Sequence, residues 1–228
     1  MSKVMMTNGQ MAIVTGVVKS VKDDAEKLSV ALEYQGYDAV RKASEPKVSY
    51  IYFYNQDRRD DGREPILYAE KARRMRLREG SSVIAYVRFT DDEKKNAYGY
   101  GIKYDGVMSI RTGEGEEQKT YSCVKGLVTR LTRKQDSKGN DFLSVSVYTG
   151  KDKDGNFVSE SVQVRNTRRN ANLVANAEKV LSPRNDGTKL AACFTCGAPY
   201  EAYNGDGDAY NIYTAFDFDV TGLKAVNQ

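Results

Sequence analysis

The sequence repeats itself at the scale of a whole domain. Segments of the first half return in the second half in the same order, and the spacing changes only in polar stretches between them. The pairs are 16–21 (GVVKSV) with 126–131 (GLVTRL), 28–32 (LSVAL) with 143–147 (LSVSV), and 55–60 (NQDRRD) with 166–170 (NTRRN). Solenoid units run about 20–50 residues. A repeat that spans half of the chain therefore predicts two similar domains.

Length and charge fit two modules joined by a short linker. The chain has 228 residues, which is enough for two domains of common size. The segment 113–119 is rich in glutamate and glycine and is predicted as a flexible linker between a module over 1–112 and a module over 120–228. The formal net charge of +4 suits either a polyanionic partner or an ordinary soluble surface.

The residue inventory excludes several kinds of active site. There is no histidine, which removes Ser-His-Asp and Cys-His catalysis and histidine-ligated metals. Cys193 and Cys196 have the spacing of half a zinc site, but no second pair completes it, so we expect buried thiols. We therefore predict no enzyme activity, no metal and no cofactor.

The hydrophobic runs are short. None reaches the roughly 18 apolar residues of a membrane span, and the first residues lack the apolar core of a signal peptide. We therefore expect a cytoplasmic protein without a membrane partner.

Each module shows the alternation of half-buried β-strands. The first strand of each contains one glycine, which is typical of a bulge or a sharp bend. A short helix is predicted over 68–77 and again over 172–181, between the third and fourth strands. The predicted strands are 12–21, 28–32, 49–54, 83–87 and 98–110 in the first module, and 122–131, 143–147, 160–165, 190–194 and 209–220 in the second.

This order of elements is that of the OB-fold, a five-stranded barrel that binds ligands on the face of strands 2 and 3 and with the loops after strands 1 and 4. The predicted fold class is all-β with one short helix per module, as two tandem five-stranded OB-fold barrels. The pattern covers nearly the whole chain and resembles tandem OB-fold single-stranded DNA-binding proteins, of the single-stranded DNA-binding protein and replication protein A type. That resemblance implies single-stranded DNA as the partner.

Three tyrosines alternate along strand 3 of the first module. If Ile51 and Phe53 face the core, then Tyr50, Tyr52 and Tyr54 share the outer face, where OB-folds stack nucleobases. Each such stack is worth about 1–3 kcal/mol and tolerates any base. The alternative is that the tyrosines pack under a neighbouring loop or against the other module.

The second module is less aromatic on its third strand. Its second strand carries Tyr148 facing outward, where the first module has Glu33, so we expect the two modules to grip one ligand differently. The binding candidates predicted for these strands and for the loop before the last strand are Phe142, Tyr148, Gln163, Arg165 and Tyr203.

Repeated arginine pairs are the best cationic candidates, because arginine holds phosphate bidentately and also stacks on bases. Arg58 and Arg59 follow strand 3 in the first module, and Arg168 and Arg169 follow it in the second. Nearby aspartates offer salt bridges as an alternative for the first pair. A further basic group lies around strand 1 of the second module and the loop that follows it: Lys125, Arg130, Arg133, Lys134 and Lys138.

Together these features predict sequence-tolerant binding of single-stranded DNA by both modules, in replication, recombination or repair, such as that of a phage or mobile element. The alternatives are a structural or assembly protein that uses its tyrosines as an interface core, and an RNA-binding protein. Bacterial single-stranded DNA-binding proteins commonly end in an acidic tail that recruits partners, and 221–228 contains no acids. Recruitment by that route is therefore doubtful, protein partners stay unknown, and a homodimer is left open.

Overall fold

The computed structural model describes residues 4–8, 11–38, 43–56, 65–90, 96–113, 115–182 and 188–224. They fall into two units that divide between Tyr104 and Asp105. None of the helices in these ranges is long and apolar enough to cross a membrane.

The first unit is a closed barrel of five strands. Its elements are β1 (Val4–Asn8), β2 (Met11–Asp23), β3 (Lys27–Asp38), β4 (Ala43–Gln56), β5 (Ile66–Leu67), α1 (Tyr68–Arg74), β6 (Ser82–Phe89) and β7 (Asn96–Lys103). Strand β2 pairs with β3 and β6, β3 pairs with β4, β4 runs parallel to β7, and β7 pairs with β6. The ring of pairings therefore closes, as the OB-fold requires.

The second unit repeats the same ring. Its elements are β8 (Gly106–Thr112), a 3₁₀ turn (Gly115–Glu117), β9 (Lys119–Gln135), β10 (Asp141–Lys151), β11 (Phe157–Arg165), α2 (Leu173–Leu181), β12 (Lys189–Cys196), β13 (Tyr200–Tyr203) and β14 (Ala209–Lys224). Strands β9, β10, β11, β14 and β12 pair in that order and return to β9, with β11 parallel to β14. The predicted class, all-β with one short helix per module in two OB-folds, is confirmed.

The alternation seen in the sequence places the core. Ile51 and Phe53 are buried in the first unit, and Val162 and Val164 are buried in the second. One face of each helix closes the barrel, through Ala69 and Ala72 in α1 and through residues such as Leu173 and Ala177 in α2.

The repeated asparagine after strand 3 anchors the helix of its unit. Asn55 Oδ1 accepts the backbone N–H of Ala69 at 3.1 Å, and Asn166 Oδ1 accepts that of Val174 at 2.9 Å. Both bonds satisfy first-turn amides that have no partner within the helix. The repeated residue is therefore a structural one.

The repeated glycine in the first barrel strand is explained by a close approach of two strands. A Cβ on Gly126 would lie 2.1 Å from the carbonyl oxygen of Tyr148, and a Cβ on Gly16 would lie 2.7 Å from that of Glu33. Neither position can hold a side chain without moving the neighbouring backbone. The register of both strands also shifts just beyond these glycines, as the sequence predicted for a bulge.

The boundary between the units differs from the one that composition predicted. The single strand expected over 98–110 is two strands, because β7 ends at Lys103 and β8 begins at Gly106, whose φ of +138° favours glycine. Strand β8 pairs with the first half of β9 from Gly106↔Lys125 to Thr112↔Lys119. The acidic segment 113–119 therefore connects two strands of one hairpin inside the second unit. Strand β1 pairs with the start of β2 in the same way, so the repeat includes this extra strand.

Three hairpin loops of the second unit share one hydrogen-bonding pattern. Each has five residues, and the side-chain oxygen of the first accepts the backbone N–H groups of the third and fifth. The fourth residue is a glycine with a φ of 80° or 86°. The loops are 136–140 between β9 and β10, 152–156 between β10 and β11, and 204–208 between β13 and β14.

Candidate nucleic-acid interface

A row of tyrosines covers the outer side of β4 in the first unit. Tyr50 is 50% exposed, Tyr54 is also exposed and Tyr52 is half-buried, while the residues between them face the core. The parallel neighbour β7 places Tyr98 directly beside Tyr52, and the ring centroids of Tyr54 and Tyr98 lie 6.2 Å apart. We call Tyr50, Tyr52, Tyr54 and Tyr98 the tyrosine face.

Two cations lie over these rings. The Lys27 Nζ is 4.9 Å from the centroid of Tyr52 and 5.9 Å from that of Tyr54, and the Arg88 guanidinium carbon is 5.5 Å from the centroid of Tyr98. Both are within cation–π range. A cleft of about 260 Å³ opens among Tyr52, Tyr54, Tyr98 and Arg88, and Tyr68 and Tyr100 also line it. The tyrosine face thus combines open aromatic rings with positive charge.

Glu33, which stands in the first unit where the second has Tyr148, is paired with a lysine. Its carboxylate lies 3.4 Å from the Nζ of Lys19, at the solvent-exposed surface. Arg58 and Arg59, the cations predicted after strand 3 of this unit, lie outside the described residues.

The second unit presents a sheet face of different character. Cross-strand pairing aligns Arg130, Ser146, Ser161, Ile212 and Tyr200 in one row across five strands. The next row consists of Thr132, Ser144, Gln163 and Thr214 by the same register. Arg130 and Lys134 on β9 are exposed. This surface is therefore polar and basic at the positions where the first unit has tyrosines.

Aromatic rings stand at one end of that face. Tyr148 and Phe157 meet edge to face with centroids 5.7 Å apart, and Phe157 is 76% exposed. The Lys151 Nζ lies 5.0 Å from the Phe157 centroid. Phe157 was not among the predicted residues, because the third strand was predicted to begin at Glu160. It nevertheless has the same parity as the outward Ser159 and Ser161.

Two predicted phosphate ligands on β9, Lys125 and Arg133, are paired with carboxylates. Lys125 is only 2% exposed, and its Nζ bonds to Asp105 Oδ1 at 2.9 Å. Arg133 lies on the other face of the strand from Arg130 and bonds to Glu178 at 2.7 Å and to Asp141 at 2.5 Å. These carboxylates hold both cations, Lys125 in the interior and Arg133 at the surface. Their role as phosphate ligands stays a prediction.

The side chains of Phe142 and Arg165 pack against each other, so neither presents an open surface to a ligand. The Arg165 guanidinium lies 4.5 Å from the Phe142 centroid and leaves that ring buried. Arg165 also bonds to Asp136 at 3.0 Å and donates to Gln163 Oε1 at 3.0 Å. In this arrangement Arg165 covers the Phe142 ring and holds the loop of Asp136, and the stacking of Phe142 on a base stays a prediction.

The hydrogen bonds to Asp136 make the stability of the second unit depend on pH. The backbone N–H of Asn140, together with the Asn140 side chain, Lys138 and Arg165, lowers the pKa of Asp136 to about 2. A pKa below the unfolded value of about 3.9 means that the stabilisation is complete above about pH 4 and is lost as the pH falls through about 2. Asp136→Asn keeps the Oδ1 acceptor, as Asn204 does in its own loop. It removes the charge and the Oδ2 acceptor, to which Arg165 and the Asn140 side chain donate.

We expect Asp136→Asn to be less stable than the wild type at pH 7, with a difference that shrinks between about pH 4 and about pH 2. Urea unfolding at several pH values measures it. Asp154→Asn, in the neighbouring loop, is the matched control and should behave like the wild type throughout. A difference for Asp136→Asn that is constant with pH would contradict this assignment.

The predicted loop residue Tyr203 is exposed, but its side chain lies on the opposite side of the β13–β14 hairpin from the sheet face. It lies on β13, and its hydroxyl donates to Glu201 at 2.5 Å, a bond that raises its pKa. Tyr200 and Tyr210 lie on the opposite face of the same hairpin, because Tyr200 pairs with Ile212 and Ala202 pairs with Tyr210. Those two exposed tyrosines continue the sheet face and fit the predicted role better than Tyr203.

Arg168 and Arg169 lie in a tight turn after β11. Both are exposed and line a second cleft, together with Tyr121 and Phe216. The sequence predicted the two arginines as binding residues. It did not predict Tyr121 and Phe216, which lie on other strands and reach the turn only in the folded structure.

The three cysteines are buried thiols, as predicted. The Sγ atoms of Cys123 and Cys193 lie 3.0 Å apart, and this contact raises the pKa of Cys123. Burial raises the pKa of Cys196 as well. Cys123 and Cys196 are therefore held in the protonated, unreactive form at neutral pH.

Strand order, pairing and surface define the chain as a tandem OB-fold protein with exposed aromatic and basic faces. No family model matches the sequence, and no curated protein sequence matches it. The solved single-stranded DNA binding protein from Thermus aquaticus is similar at 12% identity, over 96% of this chain and 95% of that chain, with a TM-score of 0.34. A deletion mutant of the same protein matches at 11% identity, over 92% and 93%, with a TM-score of 0.33.

A third similar structure is a mitochondrial single-stranded DNA binding protein from S. cerevisiae. It is 14% identical over 51% of this chain and 93% of that chain, with a TM-score of 0.28. The assignment of the OB-fold rests on this chain's own strand pairings.

Proposed function

We propose that the protein binds single-stranded DNA with little sequence preference, through stacking of tyrosine on bases and contacts of lysine and arginine with phosphates. The observation that carries the proposal is the tyrosine face with Lys27 and Arg88 beside its rings. Aromatic rings left in water on an OB sheet are costly unless they serve an interface. Rings with cations beside them match a ligand of stacked bases joined by phosphates.

Each ring position offers a favourable stack. Base–aromatic stacking is worth about 1–3 kcal/mol per base and does not depend on the base, which accounts for tolerance of sequence. Lys27 and Arg88 lie close enough to exchange their contacts with the rings for phosphates when a strand binds. The second unit would add Arg130, Lys134, Tyr148 and Phe157 on its sheet face.

The covalent link between the two units increases the affinity of the whole protein for a strand. Once one unit holds a strand, the other meets it at a high effective concentration, so two weak sites give tight binding. OB-folds cover about 4–16 nucleotides each, so the pair would cover about 8–32. Such a protein serves replication, recombination or repair by binding without catalysis. The cytoplasmic location and the origin in a phage or mobile element stay predictions, and the homodimer stays an open alternative.

The test is a titration of labelled oligothymidine of about 30 nucleotides, followed by fluorescence anisotropy. We expect submicromolar binding, weaker binding of a strand of about 8 nucleotides, and little binding of duplex DNA. A matched RNA strand, used as competitor, should displace the DNA only at higher concentration. Absence of binding, with self-association instead, would favour the assembly role.

Salt provides an independent measurement on the same complex. The logarithm of the association constant should fall linearly with the logarithm of salt concentration, with a slope of about −0.7 for each phosphate contact. Contacts from several exposed cations predict a slope steeper than about −2. A flat response would contradict the role of arginine and lysine while leaving stacking intact.

A further inference from the structure

The second unit contains an aromatic and basic cleft that the sheet face does not include. It has a volume of about 700 Å³, and its walls come from β9, β14 and the turn after β11. Ligand pockets commonly measure about 300–1,000 Å³, so this cleft has room for one nucleotide.

The aromatic wall consists of two rings that a strand irregularity brings together. Tyr121 and Phe216 meet edge to face, with centroids 6.1 Å apart. Phe216 is exposed and falls where the β12–β14 register shifts, since Cys196 pairs with Ala215 but Thr195 pairs with Asp217. Bulges of this kind redirect a side chain. Here the bulge turns a phenylalanine ring toward solvent beside a tyrosine.

The basic wall is a fixed turn. Thr167 and Asn170 exchange backbone hydrogen bonds of 3.0 and 3.1 Å, and Asn170 N–H also donates to Thr167 Oγ1 at 3.0 Å. Arg168 and Arg169 are held between these two residues. Both side chains are exposed to solvent, and neither forms an ion pair with any residue in the described ranges.

One acidic group also lines the cleft. Asp217 Oδ1 accepts the backbone N–H of Phe218 at 2.9 Å. Two guanidinium groups against one carboxylate leave the cleft with a net positive charge. Aromatic rings and phosphate-binding cations within one small cavity are the two chemistries that a nucleotide requires.

We propose that this cleft binds one nucleotide of a single strand, with the base against Phe216 and Tyr121 and a phosphate on Arg168 and Arg169. The inference rests on the proposed function and adds a site on which the second unit holds the strand beyond its sheet face. The guanidinium groups supply bidentate phosphate contacts that lysine could not match.

Fluorescence tests the aromatic half of this site. The chain contains no tryptophan, so Phe216→Trp introduces a single reporter. We expect oligothymidine of about 30 nucleotides to quench its emission by about half or more when the strand stacks on the ring. Val180→Trp, at an exposed position on α2, is the matched control and should be unchanged.

Salt dependence tests the basic half. The double variant Arg168→Ala/Arg169→Ala should make the salt slope shallower by about 0.7 for each phosphate that these side chains bind in the wild type. Lys179→Ala removes an exposed charge from α2 and should leave the slope unchanged. Circular dichroism checks that all variants are folded.

The outcomes separate the two proposals. If the wild type does not bind the strand, the proposed function fails and this site fails with it. If the wild type binds but Phe216→Trp is not quenched or the arginine variant keeps the wild-type slope, the site is overturned and the function stands. Quenching together with a shallower slope supports the site.

Discussion

Replacing Tyr52 and Tyr54 together with alanine is expected to weaken binding of oligothymidine by about 2–6 kcal/mol, because two base stacks of about 1–3 kcal/mol each are removed. At about 1.4 kcal/mol per tenfold change, the dissociation constant should rise by more than about 10-fold. Anisotropy titration at fixed salt measures the change. The rings lie on the outer face of β4, so the barrel core should stay intact.

The matched control is Tyr52→Phe/Tyr54→Phe, which keeps both rings. It removes the 3.3 Å hydrogen bond from the Tyr52 hydroxyl to Asn96 Oδ1, and we expect it to retain most of the affinity. Thermal unfolding should give similar midpoints for both variants. Equal affinity of the alanine variant and the wild type would remove the tyrosine face from the binding site.

Gly126→Ala is expected to have the largest effect on folding. An added Cβ would lie 2.1 Å from the carbonyl oxygen of Tyr148, which is backbone and cannot rotate away. Strands β9 and β10 would have to separate, which we expect to cost about 3 kcal/mol or more of the free energy of unfolding of the second unit.

Gly197→Ala is the matched control for this substitution. A Cβ on Gly197 meets nothing within 4 Å, and its φ is not in the left-handed region. Urea unfolding followed by circular dichroism should show a decrease of less than about 1 kcal/mol for this variant. Equal stability of Gly126→Ala and Gly197→Ala would contradict the close approach of the strands.

Local alternation predicted those parts of the site that lie on one strand. The outward positions of Tyr50, Tyr52 and Tyr54 follow from the period of two and from the apolar residues between them. Repetition added a second test of the same pattern, because Val162 and Val164 occupy the matching inward positions. These are short-range properties, which a sequence expresses directly.

The rest of the site depends on contacts between distant segments. Tyr98 joins the tyrosine face only because β7 runs parallel to β4 and aligns it with Tyr52. Phe216 and Tyr121 meet through a bulge and a second strand. No local pattern specifies either pairing.

Lys125 shows where alternation fails. Val124 and Lys125 are neighbours in the sequence, and both are buried. This part of β9 is covered on both faces, so parity no longer separates core from surface. The sequence predicted that Lys125 is exposed. In the structure its ammonium group is buried, and the ion pair with Asp105 takes the place of the water that would otherwise stabilise the charge.

The three side-chain-closed loops of the second unit affect the thermodynamics of recognition. Their first residues already bond the turn amides, and glycine already adopts the required φ. A ligand that touches such tips does not have to order them, so little conformational entropy is given up there on binding. The second unit is in this respect a preorganised receptor, and the heat of its association should report contacts formed with the strand rather than loops being folded.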